Sequence, residues 1–365
     1  MKILTILGTR PEIIRLSVII KKLDLLLDSH VLVHTGQNFS SQLSDVFFNE
    51  LNIRRPDYVL SNKENSLGEQ LSLLFKELEK ILIKEEPDKV LLLGDTNSGL
   101  SAILAERLGI PVVHLEAGNR CFDLNVPEEK NRKIIDAIST YNLVYTTNSK
   151  ENLIREGIHP SRIFKTGNPI FEVINFFEKE IEKSEILNEV KVNEKNYFLV
   201  TVHRAENVDN PQILNQIIDA LNVLANTYNK RVIVSTHPRT RSKINSFIEN
   251  NLHDLVELYE PFGFFDFVKL EKNAFLVLTD SGTVQEECCI FQVPTVTMRK
   301  TTERPETVDC GSNFISGVIA ENIINGVKVM TSRSIGWDCP SDYLDLSVSE
   351  KVINIILGGS KIVSE

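Results

Sequence analysis

At 365 residues the chain exceeds the size at which one hydrophobic core stops growing, so two domains are expected. A net charge of −10 without a long Lys/Arg run argues against nucleic-acid or membrane-surface binding, although a local cluster of donors can still hold a phosphorylated ligand. No apolar run approaches the roughly 20 residues of a spanning helix, and Met1–Leu7 runs into a glycine turn without a signal-cleavage pattern, so a cytoplasmic location is expected. The five cysteines lack metal-ligand spacing, and vicinal Cys288 and Cys289 read as small buried thiols.

Short β-branched runs alternate with amphipathic stretches from end to end, which predicts parallel sheets covered by helices. The first half offers strands at Ile3–Leu7, Val31–His34, Val90–Leu93, Val112–Leu115 and Leu143–Tyr145. Its helices are expected near Pro11–Leu27, Leu67–Lys84, Ser98–Leu108 and Glu128–Ser139. The second half restarts the pattern with strands at Phe198–Val202, Val232–Ser235, Val256–Leu258, Phe275–Leu278 and Thr295–Met298. Helices are expected there near Gln212–Asn226, Ser242–Asn250, Phe264–Lys269 and Val284–Phe291. Two Rossmann-like doubly wound domains are therefore expected, divided in a charged helix Phe171–Asn188.

Ligands of doubly wound sheets bind beyond the carboxyl ends of the strands, and the polar residues gather there. After the first strand, Gly8-Thr9-Arg10-Pro11-Glu12 offers a tight turn and a proline suited to a first helical turn, holding Arg10 over a helix N-terminus. An ordinary strand-to-helix turn would look the same. The G-x-G-x-x-G dinucleotide fingerprint is missing. Asp95, in Gly94-Asp95-Thr96, reads as a helix cap or an acid/base carboxylate. Glu116 lies beside Gly118, which allows close approach of a ligand, and Glu128 and Arg132 share one helical face at i and i+4. Carboxylates converging from separate strand ends raise one another's proton affinity, which suits proton transfer. In the second half, His203-Arg204 at a strand end addresses an anion, and Ser281-Gly282-Thr283 opens a helix as a phosphate cradle. Glu287 on that helix is within reach of a ribose diol, and Arg304-Pro305 forms a second Arg-Pro corner.

Taken together these stretches resemble the non-hydrolysing UDP-N-acetylglucosamine 2-epimerase family: GTRPE at Gly8–Glu12, GDT at Gly94–Thr96, EAG at Glu116–Gly118 and PEExNR at Pro127–Arg132. HR at His203–Arg204, TDSGxxQEE at Thr279–Glu287 and TTERPE at Thr301–Glu306 follow in the family's order. The resemblance implies an α/β GT-B fold with an active-site cleft between two Rossmann-like domains: residues 1–170 plus a C-terminal helix within 345–365, and residues 171–344 holding UDP. It implies Asp95, Glu116 and Glu128 as acid/base carboxylates, with Arg132 and His203 as further catalytic positions. Arg10, Ser281, Gly282, Thr283, Glu287 and Arg304 match positions touching the UDP phosphates or ribose, and Phe267 lies where an aromatic sits near uracil. A homodimer is implied, with no metal and no cofactor, acting on a UDP-sugar for surface polysaccharide such as capsule or O-antigen.

The C2 proton of a 2-acetamido sugar is not beside a carbonyl, so direct removal is closed. Transient oxidation by a nicotinamide would need the missing fingerprint. Expulsion of UDP is open: a carboxylate takes the C2 proton as the C1–O bond breaks, leaving a 2-acetamidoglucal to which UDP adds back. Cationic donors and a helix N-terminus stabilise the departing pyrophosphate.

Arg15 stands where the family commonly has lysine, and Gln37-Asn38-Phe39-Ser40 and Ala205 depart from its regulatory segment, which puts activation by UDP-N-acetylglucosamine in doubt. Together with Gly118–Asp123, these departures also resemble a branch acting on UDP-2-acetamido-2,6-dideoxy-talose to give UDP-N-acetyl-fucosamine. A GT-B glycosyltransferase or a hydrolysing 2-epimerase would share the nucleotide half.

Overall fold

A computed structural model describes residues 1–37, 41–61, 66–236, 240–244, 252–333 and 336–358, with the backbone alone for 41–45. The chain divides into two compact units, residues 1–176 with the segment from Ser341 onward, and Phe177–Pro340.

The first unit is a seven-stranded parallel sheet of β1 (Ile3–Leu7), β2 (His30–His34), β3 (Tyr58–Val59), β4 (Lys89–Leu93), β5 (Val112–Ala117), β6 (Tyr141–Val144) and β7 (Ile163–Lys165). Its order is β3-β2-β1-β4-β5-β6-β7. The chain reverses its direction of growth between β1 and β4, and the two loops that follow these strands leave the sheet side by side. Alternate residues Leu4 and Ile6, Val31 and Val33, and Val90 and Leu92 pack with Leu74, Leu78 and Ile81 of the helix Leu67–Glu85. Period-two alternation fixes that register, because a slip of one residue would turn this set to the opposite face. The helix Val348–Leu357 belongs to this unit: buried Lys89 donates to the carbonyl of Ile356 at 2.6 Å, and Glu172 accepts from the Ser349 amide at 2.7 Å. A cation on terminal carbonyls and a carboxylate on first-turn amides suit the two ends of the helix dipole.

The second unit is a six-stranded parallel sheet of β8 (Tyr197–Thr201), β9 (Arg231–Ser235), β10 (Val256–Tyr259), β11 (Leu276–Thr279), β12 (Thr295–Thr297) and β13 (Asn313–Ile315). The order β10-β9-β8-β11-β12-β13 places its switch point between β8 and β11. Phe198 and Val200 face one core with Leu214, Leu221 and Val327, while Tyr197 and Leu199 face another with Leu270, Val284 and Cys288. Both faces of the sheet are covered, and apolar residues accordingly sit on both sides of its central strands. Two Rossmann-like units, the constituents of a GT-B fold, are thus present as the sequence predicts.

Three elements depart from expectation in a common way. β3, β7 and β13 carry no strand signal of their own, and each is a two- or three-residue strand at a sheet edge. Segment 171–188 is not one helix but parts of three, Pro169–Phe176, Glu178–Lys183 and Ile186–Glu189. Phe177 leaves the helical path to pack on Phe265, with ring centroids 5.5 Å apart, and Ser184 turns extended to donate to Asp266 at 2.5 Å. Of the helix expected at Ser242–Asn250, residues 245–250 lie outside the described residues, as do Asn38–Ser40 of the regulatory segment. Among the described residues no helix is long and apolar enough to cross a membrane.

Candidate active site

In the first unit the site begins where β1 and β4 end together. A Cβ on Gly8 would lie 2.1 Å from the Thr35 hydroxyl and 2.4 Å from that of Ser98, so only glycine fits this turn. Glu12 folds back from the first helical turn and accepts from the Gly8 amide at 2.5 Å, the Thr9 amide at 3.2 Å and the Thr96 hydroxyl at 2.8 Å. Burial outweighs these donors and pushes the Glu12 carboxyl up to about 7. Arg10 opens the helix exposed, its guanidinium 5.4 Å from the Phe47 ring centroid.

Asp95 follows β4, and Arg132 closes on its Oδ2 with Nε at 2.7 Å and Nη2 at 2.6 Å. Asn131 donates to the Asp95 carbonyl at 2.9 Å, so adjacent residues of the helix Pro127–Ile138 hold both ends of the aspartate. Arg132 also binds Glu129 at 2.8 Å, and Glu129, fully buried, accepts from the amides of Cys121 and Phe122. Glu129 thus anchors the loop that leads into the helix. Glu128 is half-buried in the first turn.

Glu116, next to last in β5, has φ +77°, a left-handed backbone that costs a side-chain-bearing residue about 1–2 kcal/mol. The β5–β6 register shifts between Leu115 and Ala117, and this bulge turns the glutamate out of the strand's alternation. Arg15, 1 % exposed, meets Glu116 at 2.6 Å, and the Tyr145 hydroxyl donates to the same oxygen at 3.2 Å. Asn119 donates to the other oxygen at 3.4 Å. A strained backbone persists only where its surroundings over-determine it, and three side chains do so here.

In the second unit, β8 and β11 end as neighbours, Thr201 beside Thr279. Asp280 is fully buried and accepts from the amides of His203 and Arg204 and from Asn207. The His203 ring stands 3.1 Å from it, with half of the side chain exposed. Burial alone would raise the Asp280 carboxyl, but His203 and Arg204 hold it down at about 2. The Ser281 and Thr283 hydroxyls lie 3.0 Å apart at the start of the helix Gly282–Ile290, whose first-turn amides point outward beside them. A Cβ on Gly282 would come 2.5 Å from Glu303 Oε1.

The sequence-predicted residues separate by environment. Asp95, Glu116 and Arg132 gather at adjacent strand ends of the first unit; His203, Ser281, Gly282 and Thr283 gather at the switch point of the second. Glu287 lies on the cradle's helix but is 6 % exposed. Arg304 points inward, with Nε 2.5 Å from buried Glu286. Phe267 packs half-buried on the core that contains Val284 and Val293. Sequence reasoning did not single out Glu12, Glu129, Tyr145 or Asp280. Glu12 carried a signal, because Thr9 with a glutamate three residues on is the capping-box pattern. Glu129 has its partners within eight residues, whereas Tyr145 and Asp280 were marked by nothing but burial and partners distant in sequence. Among the described residues no group of three or more His, Cys, Asp or Glu side chains could hold a metal ion.

Comparison with known proteins places the chain in a family. The chain is 42 % identical to the UDP-N-acetylglucosamine 2-epimerase of Methanococcus maripaludis over 99 % of both chains. It is similar, at 42 % identity and a TM-score of 0.92 over 98 % of this chain and 100 % of the other, to the Methanocaldococcus jannaschii UDP-GlcNAc 2-epimerase solved with UDP-GlcNAc and UDP. A third relative, at 36 % identity over 93 % of this chain and 94 % of the other, is the UDP-2,3-diacetamido-2,3-dideoxy-D-glucuronate 2-epimerase of Pseudomonas aeruginosa. The family model described as UDP-N-acetylglucosamine 2-epimerase matches residues 27–357, and the chain belongs to that family.

Proposed function

We propose that this protein is a non-hydrolysing UDP-N-acetylglucosamine 2-epimerase, interconverting UDP-GlcNAc and UDP-ManNAc. The observation that carries the reading is that Asp95 and Glu116 end neighbouring strands, each oriented by its own buried arginine. Two separately oriented carboxylates meet the needs of two-sided proton traffic at one carbon, whereas a transferase using the same nucleotide half has no need of them.

The second unit takes the UDP moiety. Ser281, Thr283 and the amides of the first helical turn accept the pyrophosphate, and the exposed His203 ring adds a donor for the charge that develops as UDP leaves. The first unit supplies the chemistry at C2. One carboxylate accepts the C2 proton, the C–H pair becomes the C1=C2 double bond, and the C1–O pair departs with UDP. A proton then reaches C2 from the opposite face while a UDP oxygen re-forms the bond to C1. Asp95, Glu116 and Glu128 are the groups for these transfers, with Arg132 and Arg15 setting the angles of the first two.

The test is incubation with UDP-GlcNAc, and separately with UDP-2-acetamido-2,6-dideoxy-talose, in deuterated water with C2 followed by NMR. Deuterium at C2 of UDP-GlcNAc with UDP retained is expected. Release of free sugar would replace the reading with hydrolysis, turnover of the 6-deoxy substrate alone would change the sugar, and no exchange with either would overturn it.

A further inference from the structure

His114 is buried in β5, two residues before Glu116, and it takes no part in the chemistry above. Its Nε2 lies 2.9 Å from the carbonyl oxygen of Gly94 and its Nδ1 2.8 Å from Asp136 Oδ1. A carbonyl oxygen only accepts, so Nε2 donates to Gly94. Asp136 is fully buried, and His114 and Arg120 offset the raising effect of burial and hold its carboxyl below the usual carboxylate range. The other Asp136 oxygen accepts from the Gly118 amide at 3.1 Å and pairs with Arg120 at 2.7 Å. Arg120 continues to Glu156 at 2.6 Å, which also meets Lys133, and Asn142 fixes the Asp136 carbonyl at 3.1 Å. The two glycines at the ends of this chain of bonds have φ +78° and +80°. Gly94 immediately precedes Asp95, and Gly118 follows Glu116 by two residues.

We propose that His114 and Asp136 form a buried positioning pair that sets the two left-handed backbone corners carrying Asp95 and Glu116, and so fixes the separation of the two carboxylates. The pair bridges the loops after β4 and β5, with Gly94 bound at one end and Gly118 at the other. Misplacing a reacting group by about 1 Å lowers turnover on the order of 100-fold without removing any contact to substrate. The pair therefore acts on kcat and leaves nucleotide binding to the second unit.

The inference rests on the assignment of Asp95 and Glu116 to the chemistry, so Asp95→Asn is assayed in parallel. His114→Gln offers one polar arm in place of two ring nitrogens, and Asp136→Asn keeps shape while withdrawing the charge. Both variants are expected to lower kcat for C2 epimerisation by about 10- to 100-fold, with KM and UDP affinity held within about threefold. Wild-type kcat per folded molecule in both, alongside an inactive Asp95→Asn, overturns the positioning pair and spares the assignment. An active Asp95→Asn overturns the assignment itself. Equal losses in KM and UDP affinity would mean general structural damage and also overturn the pair. If neither variant folds, the 15N spectrum of the wild-type ring decides: a His114 ring N–H protected from solvent exchange supports the pair, and a freely exchanging one overturns it.

Discussion

Arg132 grips Asp95 by a single carboxylate oxygen, Oδ2, with Nε at 2.7 Å and Nη2 at 2.6 Å, while its remaining nitrogen is held by buried Glu129. The guanidinium is thereby locked from both sides, and the aspartate inherits its orientation. Asp95→Asn is expected to abolish deuterium exchange at C2 while UDP affinity stays within about threefold, as read by NMR and calorimetry. Wild-type exchange would remove Asp95 from the chemistry. Arg132→Lys, which keeps charge but loses the planar fork, is expected to reduce kcat by about 10- to 100-fold.

Arg15 and Glu116 form a second buried pair, and removing one partner strands the other. Arg15→Met is expected to lower stability by about 3 kcal/mol and to suppress exchange at C2. Arg15→Lys should recover part of both, because the charge remains within reach of Glu116. Urea unfolding together with the exchange assay measures the two effects, and unchanged stability in Arg15→Met would show that the pair is dispensable to the fold.

Glu12 gives the fold a pH dependence of definite sign. Its carboxyl rises from 4.5 to about 7 on folding, chiefly through burial. The contribution to stability is complete below pH 4.5 and is lost as pH rises through about 7, a total of about 3 kcal/mol. Glu12→Gln should remove this slope, so the stability difference between wild type and variant should shift toward the variant between about pH 5 and about pH 8. Parallel urea-unfolding curves across that range would contradict it.

Asp280 has the opposite sign. Its carboxyl falls from 3.8 to about 2, against burial, because His203 and Arg204 hold the charged form. That stability is present above pH 3.8 and lost as pH falls through about 2. Asp280→Asn is expected to lose about 2 kcal/mol near neutral pH and to weaken UDP binding, since the amides of His203 and Arg204 no longer meet a carboxylate. Denaturant titration and calorimetry with UDP check both effects, and retention of full UDP affinity would separate Asp280 from the cradle.

Much of the fold was legible because its causes are local. The interior strands β1, β4, β8 and β11 appear as largely apolar runs, and Gly8, Gly94 and Gly118 mark the corners where the chain leaves β1, β4 and β5. Edge strands β3, β7 and β13 were silent, since two or three residues with one solvent-facing side carry no hydrophobic signature. The Phe171–Asn188 stretch misled for a related reason. Its Lys/Glu pattern suits a helix throughout, and only the tertiary pull of Phe265 on Phe177 and of Asp266 on Ser184 divides it.

For the site, the sequence alone determined which side chains stand at strand ends, because strand period and turn residues set that within a few residues of each position. It located Asp95, Glu116, Arg132, His203 and the Ser281–Thr283 turn. Which charge meets which was decided only when the strands took their order in the sheet. Spacing puts Glu128 on Arg132's face, whereas nothing local announces Asp95, 37 residues away, as a partner of Arg132. Arg304 pairs with Glu286, 18 positions before it, and Arg15 crosses 101 residues of sequence to reach Glu116. Ion pairs depend on distance and desolvation, and in a doubly wound sheet both are set at switch points where strands remote in sequence become neighbours.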